Sequence, residues 1–260
     1  MKLPAHFLPH GGGPWPWVNI GMPRAEHEAM ASYLRGVATG LQPRAILCVT
    51  AHWEAPVATV SSSAAPGMLY DYYGFPAESY RIQWPAPGSP ELARRVRELL
   101  AGAGIASAED ATRGFDHGTF VPLKLAFPTA QVPCVQLSLV QGLDAAKHLA
   151  LGRALAPLRE EGVLIVGSGM TYHNLRKFFD GSGVNDSRSF DAWLQASVLG
   201  SDRESRLARW TEAPAARAVH PREEHLLPLH VVAGAAGADP ARLAWSGTVK
   251  GLSVSGFAFG

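Results

Sequence analysis

Five of the ten histidines in the 260-residue sequence follow an apolar run or precede a helix-like one, and they are the residues best placed to do chemistry. Neutral imidazole is a common ligand of zinc and iron, and a catalytic ion typically has three protein ligands and an open position. Five histidines exceed that number, so the surplus could act as acid/base groups. One such histidine alone could be an ordinary buried residue, but five together indicate a shared site. They are His10, His52, His117, His173 and His225.

The segment of residues 163–176, VLIVGSGMTYHNLR, indicates how the chain could position these side chains. An apolar strand runs into a Gly-Ser-Gly turn and then reaches His173. The same order recurs where HFLP leads to His10 and three glycines, and where AILCVTA leads to His52. Open α/β sheets bind ligands at the carboxyl ends of their strands. We therefore expect three distant segments to assemble one site.

Two of the candidates are predicted to stand near helix starts instead. His117 lies in GFDHGTF, where the positive end of a helix dipole would favour the neutral imidazole. His225 lies in HPREEHLLPLH, which we expect to open the last helix, with Pro221 and the two glutamates in its first turn. Pro228 is expected to kink or break the helix that follows.

Apolar strands alternate with amphipathic segments along most of the chain. Helices are predicted over residues 23–41, 89–100 and 144–159, and a closing strand over residues 252–259. Residues 178–211 are predicted to be a more polar helical segment at the periphery, without a catalytic candidate. With 47% hydrophobic residues, a chain of this length can bury one sizeable core. The sequence therefore predicts a single α/β domain over residues 1–260.

Aromatic residues are concentrated in two segments that could border the site. The loop of residues 68–87 is long and rich in tyrosine, and long loops in compact domains tend to be functional. Tyr72 in this loop, with Trp15 and Trp17 after His10, could line an apolar substrate pocket. The alternative is that these rings serve only as core packing.

Other polar and sulfur-containing residues have simpler interpretations. His27 and His148 lie in polar helical contexts and are expected at the surface. Cys48 and Cys134 lie inside apolar runs, where a free thiol behaves as a small hydrophobic side chain. Two cysteines are too few for a disulfide framework or a zinc ribbon.

The charge balance limits the classes of partner. Lys and Arg number 23 and Asp and Glu 22, so a net charge of +1 gives no electrostatic footprint for nucleic acid or an anionic membrane. No stretch approaches the ~20 apolar residues that span a bilayer, and no signal-peptide pattern begins the chain. We expect a cytoplasmic monomer or homodimer whose partner is a small molecule.

The motifs as a set resemble the class III extradiol ring-cleaving dioxygenases, the LigB-like superfamily, and most closely its single-chain DOPA-dioxygenase-type branch. The matching segments run nearly the whole length of the chain in the family's order. They are FLPHGGGPWPW, ILCVTAHWE, YDYYGFPAESYRIQWPAPGSPELA, RGFDHGTFVPL, VLIVGSGMTYHNLR and HPREEHLLPL.

This resemblance implies an α/β/α sandwich around a mixed sheet, with a non-haem divalent metal at the strand ends. In the family's pattern His10, His52 and His225 hold the metal, and His173 is an acid/base group or a fourth ligand. His117 would contact oxygen or a substrate hydroxyl. Fe(II) is the metal expected for activity, and Zn(II) could displace it during purification because zinc lies near the top of the affinity order.

The sequence departs from the family's pattern at two positions. The loop after His10 reads GGGPWPW where better-known members have a His-Gly-Ser-Pro pattern, which leaves the side chain of the substrate open. Two-subunit protocatechuate enzymes use a glutamate as third ligand, so Glu224 is the alternative to His225.

The resemblance implies that the protein opens the ring of a catechol next to its two hydroxyls, with O2 as co-substrate. A zinc hydrolase built on the same histidines is a second interpretation, although the helical His-Glu-x-x-His pattern of many zinc proteases is missing. A non-catalytic module that binds metal or an aromatic ligand is a third. Metal identity and oxygen consumption distinguish the three.

Overall fold

Strands that are apolar on both faces form the centre of the computed structural model, which describes residues 2–260. Val163–Gly169 is buried along its whole length, and Ala45–Ala55 is buried over its first seven residues. Such strands are typical of parallel sheets with helices on both faces. The described strands are β1 (Ala5–Pro9), β2 (Ala45–Ala55), β3 (Ala58–Ser61), β4 (Ser107–Asp110), β5 (Cys134–Val140), β6 (Val163–Gly169), β7 (Ala241–Val249) and β8 (Leu252–Phe259).

These strands form one sheet in the order β4-β3-β5-β2-β6-β1-β8-β7 within the described part of the chain. At the centre, β5 pairs parallel with β2, β2 with β6, and β6 with β1. Towards the edges, β3 pairs antiparallel with β5, β8 with β1, and β7 with β8. Because β1, β2 and β6 are parallel and adjacent, their carboxyl ends lie together at one end of the sheet.

Helices cover both faces of this sheet. Gly167 of β6 lies against the start of the last helix, whereas the hydroxyl of the next residue, Ser168, donates to the carbonyl of Gly118 in the third helix. Consecutive strand residues point to opposite faces, so these two helices lie on opposite sides. The helices are α1 (Arg24–Gly36), α2 (Pro90–Gly102), α3 (His117–Ala126), α4 (Ala145–Leu155), α5 (Leu175–Asp180), α6 (Val184–Leu199), α7 (Arg203–Ala208), α8 (Ala216–Val219) and α9 (Leu227–Ala236).

Capping side chains fix two of the predicted helix starts. The Ser89 hydroxyl accepts a hydrogen bond from the backbone N–H of Leu92 at 3.1 Å, and Asp116 accepts one from Thr119 at 3.0 Å. Such caps satisfy N–H groups that the first turn of a helix leaves unpaired. The predicted α/β/α architecture around a mixed sheet is confirmed. In the described residues no helix is both long and apolar enough to cross a membrane.

The C-terminal part differs from the prediction in two places. The last helix begins at Leu227, so Pro228 occupies its first turn instead of breaking it, as suits a residue without an N–H. Glu224 precedes the helix in a turn. Strand β7 was not predicted, because this edge strand is half-exposed and lacks a regular apolar alternation.

Two further predictions are corrected. His148 is buried, not at the surface: its Nδ1 donates to the carbonyl of Asp144 at 2.7 Å and its Nε2 accepts from the Val140 N–H at 3.1 Å. Residues 178–211 are divided among three α-helices and a short 3-10 helix that begins at Trp210, and the first α-helix, α5, borders the cavity described below. Cys48 and Cys134 are buried free thiols, as predicted.

Candidate active site

The carboxyl ends of β1 and β2 bring two of the predicted histidines together. His10 follows Pro9, the last residue of β1, and its backbone N–H donates to the carbonyl of Gly169 at the end of β6 at 3.1 Å. His52 lies in β2, two residues beyond Thr50, which pairs with β6. The Nε2 atoms of His10 and His52 lie 3.3 Å apart. The sheet register therefore sets the distance between them.

His225 completes a group of three. Its Nε2 lies 3.3 Å from the Nε2 of His52, and the three candidate ligand atoms all lie within 4.8 Å of one another. The segment is held in place because the carbonyl of His225 accepts a hydrogen bond from the Met170 N–H at 3.0 Å, just beyond β6. Two nitrogens bound to one tetrahedral ion at about 2.0–2.1 Å would lie roughly 3.4 Å apart.

Hydrogen bonds at the far side of two rings fix their tautomers. His10 Nδ1 lies 2.8 Å from the carbonyl of Gly11, and His225 Nδ1 lies 2.9 Å from Glu224 Oε1. Carbonyl and carboxylate oxygens only accept, so Nδ1 carries the proton in each ring and Nε2 has a lone pair. Lone pairs aimed at one point repel each other unless a cation lies between them. The donor set thus fits a divalent metal held by His10, His52 and His225.

The pKa values of the three rings also favour metal binding. Burial lowers the pKa of His10, His52 and His225 well below the ordinary value, and the neighbouring histidines lower it further. An imidazole must be neutral to bind a metal through its lone pair. At neutral pH these three rings are therefore in the form that binds metal.

His117 stands beside this group at the start of α3. Its ring centroid is 3.9 Å from that of His52 and 5.3 Å from that of His10. Asp71 Oδ1 accepts from both the backbone N–H of His117, at 2.9 Å, and its Nδ1, at 2.8 Å. Burial would raise the pKa of Asp71, but these hydrogen bonds outweigh it and hold the pKa below its usual range. The other nitrogen of His117, Nε2, is left with the lone pair.

His173 follows β6 and stacks on His225. Their ring centroids are 3.3 Å apart with an angle of 18° between the planes. His173 Nδ1 lies 3.1 Å from Glu224 Oε1, the same oxygen that His225 contacts. One carboxylate therefore orients both rings. Because Glu224 meets the Nδ1 side of His225, it lies away from the point where the three Nε2 atoms converge.

A buried polar network supports His52 from behind. The Thr50 hydroxyl donates to Asp116 Oδ1 at 2.8 Å and accepts from the His52 N–H at 3.2 Å. Arg113 donates to Asp116 Oδ2 at 2.9 Å and to the His52 carbonyl at 3.1 Å. Burial raises the pKa of Asp116, and the Arg113 guanidinium opposes that shift. The network ties β2 to the start of α3 and so fixes His52 relative to His117.

All five histidines border one cavity of about 370 Å³. Tyr72 also lines it, with its ring centroid 5.8 Å from that of His117. The two tryptophans differ from the prediction. Trp15 is fully buried behind His10 and donates from Nε1 to the His10 carbonyl at 2.7 Å, and Trp17 lies at the surface, 37% exposed, outside this cavity. Trp15 supports the site, and the cavity walls come from other residues.

The sequence did not indicate Asp71 as a functional residue, and the role that it predicted for Glu224 differs from the contacts that Glu224 makes. Asp71 is an acid within the aromatic run YDYYGF, where a lone charge among rings is a signal for a buried partner. Glu224 was predicted as an alternative ligand or a first-turn helix acid. Its contact with two imidazoles depends on how the turn before α9 folds back on β6.

Comparisons with known proteins identify the family. Residues 4–256 match the model of the catalytic LigB subunit of aromatic ring-opening dioxygenase. A 4,5-DOPA dioxygenase extradiol of Portulaca grandiflora is 45% identical over 202 residues, or 76% of this chain and 74% of the relative. The protein of that name in Escherichia coli K12 is 35% identical over 239 residues, or 90% of this chain and 85% of the relative.

A solved structure agrees with this result. The crystal structure of an uncharacterized Escherichia coli K12 protein superposes with a TM-score of 0.81 at 32% identity, with all of both chains covered. The shared fold, the family match over nearly the whole chain and the named relatives give one conclusion. The chain belongs to the LigB family of aromatic ring-opening dioxygenases and is an extradiol ring-opening dioxygenase.

Proposed function

We propose that the protein opens the ring of a catechol next to its two hydroxyls, with O2, at an Fe(II) ion held by His10, His52 and His225. The observation that carries the proposal is the convergence of the Nε2 atoms of three neutral histidines beside two further histidines. The Nε2 of His52 lies 3.3 Å from that of His10 and 3.3 Å from that of His225. Bound iron would supply a Lewis acid that favours ionisation of the catechol and a redox-active centre for O2.

His173 is proposed as the base that removes a proton from a catechol hydroxyl. Its Nδ1–H is directed at Glu224, which leaves Nε2 to accept that proton. The carboxylate of Glu224 would also stabilise the imidazolium that forms. After ring opening, the same group can return the proton.

His117 is proposed to contact oxygen or a substrate hydroxyl and to help deliver a proton. Asp71 fixes its ring through two hydrogen bonds, so the free Nε2 has one orientation. Tyr72 packs beside His117 at the cavity wall. His117 lies beside His52 and His173 stacks on His225, so two acid/base groups would serve two proton transfers in one turnover.

The partners in this proposal are a small catecholic aromatic and O2, in a reducing cytoplasm where the buried thiols of Cys48 and Cys134 stay free. The test is oxygen uptake after anaerobic reconstitution with Fe(II) and addition of simple catechols. We expect one O2 per catechol and a yellow ring-opened product. No uptake by protein with one iron per chain would refute the proposal. Activity of zinc-loaded protein without oxygen would favour the hydrolase.

A further inference from the structure

The cavity walls beyond the histidines are almost entirely apolar. No Asp, Glu, Lys or Arg occurs among the described residues that line it. The side chains that extend away from the histidine group are aliphatic or aromatic: Ile20, Phe75, Leu175, Phe178, Phe179 and Val249. A substituent attached to the catechol ring would therefore meet hydrocarbon surfaces.

Two polar side chains of the wall are already hydrogen-bonded inside the protein. The Tyr72 hydroxyl donates to the carbonyl of Ser79 at 2.7 Å, and the Asn174 side chain donates to the carbonyl of Ala218 at 2.7 Å. The Tyr172 hydroxyl lies against Gly183 and has no hydrogen-bond partner, but as a neutral group it cannot balance a charge. Apart from the histidines, the wall has no side chain whose charge would balance a carboxylate or an ammonium group.

The mouth of the cavity exposes apolar side chains to solvent. Leu175 is 57% exposed and Phe179 is 74% exposed, although both line the cavity. Lys250 lies on this rim, with its Nζ 5.2 Å from the ring centroid of Phe178 and 5.6 Å from that of Phe179. Its ammonium group packs against the rings and is not part of the cavity wall. An apolar substituent on a ligand would cover these exposed surfaces.

From these observations we propose that the site selects catechols with an uncharged, apolar substituent over catechols that carry a carboxylate or an ammonium group. This proposal rests on the proposed function. An ionic substituent would lose water on entering the cavity and would find no oppositely charged Asp, Glu, Lys or Arg on its wall, since Lys250 lies on the rim outside it. The lost hydration disfavours binding. An apolar chain would gain the free energy of leaving water.

The experiment uses four catechols with the same ring and a three-carbon or shorter chain: 4-propylcatechol, dihydroxyphenylpropionate, dopamine and L-DOPA. Oxygen uptake by the Fe(II)-loaded protein gives kcat/KM for each. Calorimetric titration of the Zn(II)-loaded protein gives Kd independently of turnover. We expect 4-propylcatechol to be preferred by about tenfold or more in both measurements. Equal or better use of L-DOPA or the propionate would overturn the proposal.

A pair of variants tests whether the wall sets this preference. Leu175→Arg places a guanidinium at the mouth, where it can pair with a carboxylate. It should raise kcat/KM for the propionate relative to 4-propylcatechol by about fivefold or more. Leu199→Arg is the matched control, since Leu199 is 47% exposed and lies outside the cavity. An equal effect in both variants, or none in Leu175→Arg, would contradict the proposal.

The experiments distinguish a failure of the proposed function from a failure of the proposed substrate preference. If none of the four compounds supports oxygen uptake while zinc-loaded protein still binds 4-propylcatechol most tightly, the proposed cleavage of catechols is refuted and the binding preference stands. If oxygen uptake occurs but L-DOPA is the best substrate, the function stands and the preference for apolar substituents is refuted.

Discussion

Asp71 holds His117 by two hydrogen bonds to a single carboxylate oxygen, one from the backbone N–H at 2.9 Å and one from Nδ1 at 2.8 Å. Its other oxygen lies 3.4 Å from Nδ1 of His52. One side chain from the aromatic loop thus orients an acid/base candidate and a metal-ligand candidate. Loss of a carboxylate that orients a metal-binding histidine in this way typically costs about 10- to 100-fold in metal affinity or activity.

Replacing Asp71 by Asn should lower turnover at saturating metal by about 10- to 100-fold, because an amide orients the imidazole less strongly than a carboxylate. Glu78→Gln is the control, since Glu78 is an exposed acid in the same loop. Steady-state oxygen uptake measures the effect. Full activity in Asp71→Asn would show that the carboxylate does not orient His117 for catalysis.

Glu224 and Glu223 offer an adjacent pair of acids with different surroundings. Glu224 contacts Nδ1 of both His173 and His225, whereas Glu223 pairs with Arg217 at 2.6 Å near the surface. Glu224→Gln should weaken metal binding or turnover by about 10- to 100-fold.

Glu223→Gln should change neither, because exposed ion pairs contribute little. Metal affinity measured by competition with a chelator, together with kcat, separates the two variants. Equal behaviour of both glutamine variants would contradict the orienting role of Glu224.

His173 and His225 are stacked, but replacing each of them should have a different effect. His173→Gln should retain the metal and lose about 10²- to 10⁴-fold in kcat, as expected for a positioned acid/base group. His225→Gln should lose the metal, because it removes one of three converging nitrogens.

The measurement is metal per chain by elemental analysis, alongside oxygen uptake. His27→Gln is the control, because His27 lies on α1 outside the histidine group. Loss of metal in His173→Gln would make His173 a fourth ligand.

The family motifs identified the histidine group, and the strand-exit pattern explains why His10 and His52 converge, whereas His225 comes from the turn before α9. The partners of those histidines could not be derived in the same way. Asp71 and His117 are 46 positions apart in the sequence, and their contact depends on how an irregular aromatic loop folds. Trp15 illustrates the opposite error, since a large ring near the site was assigned to the cavity wall although it lies behind His10. Local patterns predict elements, but the side of an element that faces the cavity is set by packing.

The stability of the metal-free protein should fall in mildly acidic solution. Burial lowers the pKa of His6 to about 4, and Arg242 and Arg159 add to the shift. In the unfolded chain the histidine titrates near its ordinary value of about 6.5. Between these values the unfolded state binds a proton that the folded state does not, so stability falls as the pH falls from 6.5 towards 4.

His6→Leu should make that decline less steep, by up to about 1.4 kcal/mol per pH unit. Urea unfolding of both proteins in the presence of a chelator, at a series of pH values from 7.5 to about 4.5, measures the slopes. Parallel slopes would mean that His6 does not contribute to the pH dependence.

Close backbone packing at the end of β6 gives the last prediction. A Cβ on Gly169 would overlap the carbonyl oxygen of His225 and lie 3.1 Å from the ring of Phe7. Gly169→Ala should therefore push the His225 segment away from the sheet, at a cost of about 1–3 kcal/mol in the free energy of unfolding. It should also reduce metal content, since the three Nε2 atoms would no longer converge.

Gly102→Ala is the control: Gly102 ends α2 with open space around it, so alanine there should be neutral or stabilising. Wild-type stability and metal content in Gly169→Ala would mean that the turn before α9 can move without disturbing the site.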